Sequence, residues 1–171
     1  MKSYIYLYLF IALFFSGCGS YKNFMIINDD FYPSKHNKNE FSLRKDYEMF
    51  ELEAYCQRKT NCREFYVYLI IHNDSDDLLM VEMVYTAFWP QENDAPLLVE
   101  VNNQKSITKY ARIPANSTTT IRLVSEIKAG FYEIPVAQIV YVKNIKVTDE
   151  RTLEEIELET LEFKYIPDKD M

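Results

Sequence analysis

The chain has 171 residues, 48% of them hydrophobic, which is enough apolar material for one ordinary domain with its own core. Lys and Arg number 19 against 26 Asp and Glu, a formal net charge of −7. An acidic surface repels phosphate backbones, so general nucleic-acid binding is disfavoured. The three glycines stand at 17, 19 and 130, and neither a phosphate-binding loop nor a dinucleotide fingerprint can be assembled from them.

Residues 1–3 carry one positive charge, and residues 4–15 are almost wholly apolar and uncharged. A run of about a dozen apolar residues suits the hydrophobic region of a signal peptide and falls short of the roughly 20 needed to span a membrane. It ends Phe15–Ser16–Gly17–Cys18. Two small residues before a cysteine, behind an apolar stretch, resemble the lipobox of bacterial lipoproteins, with Phe15 where an aliphatic residue is usual. The resemblance implies cleavage after Gly17, diacylglycerol on the Cys18 sulfur and an acylated new N-terminus. Several acyl chains anchor stably where one does not, because each buried CH₂ adds about 0.8 kcal/mol. Gly19, in place of an acidic residue, points to the outer membrane and its periplasmic side. The expected organisation is a signal peptide over 1–17, a lipidated tether over 18–23, a β domain over 24–166 and a tail over 167–171.

With Cys18 committed to lipid, Cys56 and Cys62 remain in a chain bound for an oxidising compartment, where a disulfide is expected. Its seven-residue ring would gain roughly 2–2.5 kcal/mol in the chain-entropy model. A metal site would need more ligands, and the only histidines are His36 and His72. Arg58, Lys59 and Arg63 lie within or beside the ring, a basic patch on an acidic protein. This patch is a candidate partner-binding loop for an acidic protein or lipid headgroups, set against the plainer reading of a solvated hairpin end.

Along the chain, residues 24–27 suit a first strand and 28–39 a polar loop. Residues 50–56 alternate apolar and acidic side chains, a half-buried strand, with a helix from Asp46 as the alternative. Residues 64–72 are dominated by β-branched and aromatic side chains, as in a central strand. Strands are expected over 78–88, 97–101, 106–113, 118–124 and 136–142, the last extending to Val147. Asn73 to Asp77, Asn102–Asn103 and 114–117 read as turns. Residues 153–166 return as a strand whose hydrophobic phase flips, which suggests a β-bulge near Thr160; a short helix over 153–159 competes. Seven to nine short strands with regular turn signals give an all-β, antiparallel two-sheet sandwich. The stretches Ile70 to Leu79 and Ile113–Pro114–Ala115–Asn116–Ser117 resemble immunoglobulin-like domains of bacterial envelope proteins.

The sequence offers no G-x-S-x-G or H-E-x-x-H motif. His72 closes an apolar strand and reads as an edge-of-core residue; His36 sits in a polar loop. The Asp74–Asp77 run lacks the glycine and glutamate of a calcium loop, whose positions fall on Leu78 and Val84 or on Leu79 and Tyr85. No enzyme activity, cofactor or metal is expected. The expected role is a membrane-anchored envelope lipoprotein that binds another envelope protein as an assembly accessory, through exposed edges and loops. The alternative is capture of a lipid, glycan or peptide.

Overall fold

The computed structural model describes residues 21–34, 41–59, 64–83, 87–89, 98–106, 109–126 and 139–166. These hold fifteen strands and no helix: β1 (Tyr21–Ile26), β2 (Tyr32–Pro33), β3 (Leu43–Asp46), β4 (Phe50–Lys59), β5 (Glu64–Asn73), β6 (Leu79–Glu82), β7 (Ala87–Trp89), β8 (Leu98–Val101), β9 (Gln104–Ser106), β10 (Tyr110–Ile113), β11 (Ser117–Glu126), β12 (Ile139–Lys143), β13 (Lys146–Asp149), β14 (Glu155–Glu157) and β15 (Leu161–Ile166). The larger sheet runs β7-β12-β15-β1-β4-β5-β11-β8-β9, with β3 joined to β4 and β2 to β3; the smaller runs β10-β6-β13-β14. Every pairing is antiparallel. The all-β antiparallel sandwich read from the sequence is therefore the fold, with fifteen strands among the described residues in place of seven to nine.

Alternation along the strands builds the core. Phe50, Leu52, Ala54 and Cys56 of β4, Val67, Leu69 and Ile71 of β5, Ile121 and Leu123 of β11, and Phe24 and Ile26 of β1 point inward and are fully buried or nearly so. They join Leu79 and Val81 of β6, Ile113 of β10 and Val147 of β13 in a single cluster. Removing each of the valine, leucine, isoleucine and phenylalanine side chains among them from water contributes roughly 1.5–3 kcal/mol.

The extra strands arise because the chain changes sheets. In the larger sheet β7, β12 and β15 lie side by side; in the smaller sheet their continuations β6, β13 and β14 keep the same order. A three-stranded ribbon thus passes from one sheet to the other, the arrangement by which sandwich corners are made. At the corner, Asn144 takes φ 62°, Ile145 is buried, and the Leu158 amide donates to the Ile145 carbonyl at 2.8 Å. The phase flip near Thr160 is this corner: β14 belongs to one sheet and β15 to the other, and no bulge within one strand is involved. The helices considered from Asp46 and over 153–159 do not form.

Asparagine supplies the left-handed backbone that this glycine-poor chain needs. Asn102 and Asn103, both at positive φ, form the two-residue turn between β8 and β9, where Val101 pairs with Gln104. Asn116 and Asn144 do the same singly. Asn73 is 1% exposed; its amide donates to the carbonyls of Asp77, Ile113 and Pro114, and its oxygen accepts from the Ser75 amide and hydroxyl. It thereby ties together the two turns flanking the segments that carried the immunoglobulin-like resemblance. Asn28 does the equivalent for the corner, donating to the Thr160 carbonyl and accepting from the Glu162 amide.

Phe24 sits at the middle of this arrangement, fully buried and opposite both Tyr165 and Cys56. Phe24→Ala is expected to cost about 3–5 kcal/mol in urea unfolding through the cavity it leaves. Leu153→Ala, at a position 76% exposed, should change stability by less than about 0.5 kcal/mol.

Candidate functional site on the outer face of the central strands

The side chains of β4, β5 and β11 that alternate away from the core form a second, polar face. Two cross-strand rows organise it. In the first, Tyr55 lies opposite Tyr68, Tyr68 opposite Arg122, and Arg122 opposite Glu100. Tyr55 and Tyr68 stack with ring centroids 4.5 Å apart. Arg122 pairs with Glu100 at 2.5 Å and lies 5.4 Å from the Tyr66 ring centre. Burial, then the neighbouring Tyr68 and Glu53, push the Tyr55 hydroxyl up to about 12. Tyrosine and arginine so arranged are the residue types that dominate protein-binding hot spots.

The second row is charged. Glu51 faces His72 and His72 faces Thr118; Arg44 of β3 faces Glu53. Glu53 is only 1% exposed although it lies on the outer face. Ser34 donates to its Oε1 at 2.5 Å, and Ser42 stands 3.5 Å from its Oε2. Arg44, itself 8% exposed, forms an ion pair with Glu51 and another with Asp46 at 2.7 Å. His72 Nδ1 lies 2.9 Å from Thr118 Oγ1, and its Nε2 lies 3.6 Å from Glu53 Oε1. An open hollow of about 360 Å³ adjoins the row, lined by Glu51, His72, Asn73, Asp74, Asn116, Ser117 and Thr118.

Two chemistries can be tested against this geometry. Thr118, His72 and Glu53 follow the hydroxyl–imidazole–carboxylate order of a nucleophile relay. Here, though, Nδ1 faces the hydroxyl and Nε2 the carboxylate, the reverse of the triad arrangement, and 3.6 Å leaves imidazole and carboxylate without a hydrogen bond. Glu51, Glu53 and His72 also bring three potential metal donors within 4.8 Å of one another, a mixed nitrogen–carboxylate set suited to a divalent ion. The guanidinium of Arg44, paired to Glu51, already supplies the positive charge these carboxylates require, so an entering ion would have to displace it. The arrangement is best suited to holding charge inside the fold and presenting polar groups around the hollow.

The sequence-derived candidates lie elsewhere. Arg58 and Lys59 belong to strand β4 itself rather than to a loop, Arg58 opposite Phe65 and Lys22, Lys59 opposite Tyr21. Gln57, next to them, donates to Asn23 at 3.2 Å. Arg63, Cys18 and Cys62 lie outside the described residues. Cys56 is a free thiol with no exposed surface, directed into the core beside Phe24, and burial pushes its ionisation far above the usual thiol range. The ladder continues past Cys56 to the Arg58–Phe65 pair, and the other half of the expected bridge, Cys62, lies outside the described residues. The charged row, Arg44 above all, was not singled out from the sequence.

Removing Arg44 would leave the buried carboxylates without their counterion. Arg44→Met is expected to cost about 3 kcal/mol in urea unfolding, and adding Glu51→Gln should recover part of it. A second expectation concerns Cys56: in folded protein its thiol should resist iodoacetamide, and it should react fully once the chain is unfolded without reductant. Loss of reactivity in the unreduced, unfolded chain would instead indicate the bridge to Cys62. No protein-family model, curated protein or solved structure matches the chain.

Proposed function

We propose that the chain is a non-catalytic lipoprotein of the cell envelope, held by lipid on Cys18 at the outer membrane and binding another envelope protein. The observation that carries this reading is the spacing at the N-terminus. The apolar run and the Ser16–Gly17–Cys18 ending stop only three residues before Tyr21, where β1 enters the sheet. A cleaved signal therefore fits without removing any part of β1, and a lipid on Cys18 would hold the sandwich close to the bilayer. The paired row Tyr55, Tyr68, Arg122 and Glu100 supports a protein-binding role, since it offers stacked aromatic surface and a fixed guanidinium.

A second reading, capture of a glycan or peptide, is favoured by the open hollow beside His72. Its lining of carboxylate, amide and hydroxyl groups suits a polar ligand far better than an acyl chain.

Cys18→Ala tests the anchoring. The wild-type chain should incorporate radiolabelled palmitate and partition into detergent, and the variant should accumulate as an unprocessed, unlabelled precursor. Equal processing of the two would remove the lipoprotein reading. For the binding role, Tyr68→Ala combined with Arg122→Ala should strip partners from a cross-linked envelope pulldown without loss of palmitate labelling.

A further inference from the structure

Glu51, Glu53 and His72 are set on the outer face by two long central strands. Glu51 and His72 lie directly opposite across β4 and β5, and Glu53 follows two residues along β4 on the same face. One donor atom of each lies within 4.8 Å of the other two. Backbone pairing on both sides of β5 fixes this spacing before any ligand enters.

Two observations beyond the clustering point to a cation. The first is the aim of the imidazole. His72 Nδ1 lies 2.9 Å from Thr118 Oγ1, and the tautomer that lets Nδ1–H donate there leaves the Nε2 lone pair directed at the carboxylates. A ring nitrogen held by an oxygen behind it is the usual support of a metal-binding histidine. Nε2 and Glu53 Oε1 are 3.6 Å apart, too far for a hydrogen bond. Two donors sharing one tetrahedral zinc, with bonds of about 2.0–2.1 Å, stand at a similar separation of about 3.3–3.4 Å. The second observation is Glu53 itself. It is 1% exposed, yet Ser34 and Ser42, 2.5 and 3.5 Å away, offer it only neutral hydroxyls. Buried carboxylates are ordinarily paired with a charge or bound to a metal.

The guanidinium of Arg44 need not bar the ion. Arg44 is paired with Asp46 as well as Glu51, so it keeps a partner when Glu51 turns to a metal. Glu51, Glu53 and Asp46 set three carboxylates against that one guanidinium, and a dication offsets the excess. Glu51 and His72 also line the hollow, which gives an entry path and room for water to complete the shell.

We propose that Glu51, Glu53 and His72 bind one divalent transition ion of the zinc type, open to the hollow on its remaining side. The imidazole donor selects such an ion over calcium or magnesium, which take oxygen ligands. The site is independent of how the chain is anchored.

Zinc titration of the full-length chain tests it. The protein, in nonionic detergent and stripped of metal by a chelator, is titrated with zinc chloride by calorimetry, and its thermal unfolding is followed with and without zinc. Free zinc at about a hundred times Kd should raise the unfolding midpoint by about 5–10 °C, and calcium at the same concentration should not. His72→Gln should abolish the shift. Thr118→Val, at an exposed position, should weaken zinc binding about tenfold or more by releasing Nδ1, while leaving the metal-free midpoint unchanged. No shift in the wild type, an equal shift with calcium, or binding unchanged in His72→Gln or in Thr118→Val would overturn the site.

Discussion

The edge of β4 that faces away from β5 is divided between two strands, and most of the molecule depends on that division. β3 pairs with residues 51–54 and β1 with residues 56–59, so the two neighbours meet at Tyr55. The other edge is held by β5 along nearly its whole length. A strand paired on both sides has no freedom of register, because a slip of one residue would exchange Phe50, Leu52, Ala54 and Cys56 with Glu51, Glu53 and Tyr55. Such a slip would place three carboxylate- or hydroxyl-bearing side chains in the core, so the register is enforced by the cost of burying unpaired polar groups.

Each half of the divided edge has its own consequence. The β3 half delivers Arg44 to the outer face, where it compensates Glu51 and lies across from Glu53. Without it two carboxylates would sit beside each other in a region nearly closed to water. The β1 half brings the N-terminal end of the chain into the interior of the sheet, and its Phe24 fills the space between β4 and β15. Any force applied at Cys18 would act on a strand paired on both sides rather than on a frayed edge.

The long apolar elements were readable because their side chains repeat with period two: β4, β5 and β11 all fall where alternation or β-branched and aromatic runs place them. β3 was not, since Leu43, Arg44, Lys45 and Asp46 contain one apolar side chain among four and carry no alternation signal. Its strand character comes from pairing with β4, a tertiary effect. The flip of phase near Thr160 was visible, but its meaning was not. A change of sheet and a bulge leave the same trace in sequence, and only the partners of β14 and β15 distinguish them. Glu53 is the clearest failure of local reading. A glutamate between Leu52 and Ala54 looks solvated, and its burial follows from Ser34, Ser42 and Arg44, which stand 9 to 19 residues away. The burial of Cys56 was legible in part, since it shares the inward phase of Leu52 and Ala54 along β4.

Native-state hydrogen exchange along β1 measures the central constraint most directly. If β1 is an interior strand locked between β4 and β15, the amides of Phe24 and Met25 should exchange as slowly as those of Leu52 and Leu69, through global unfolding. Exchange of the Phe24 and Met25 amides on the fast timescale of a frayed terminus, while β4 and β5 remain protected, would contradict the account.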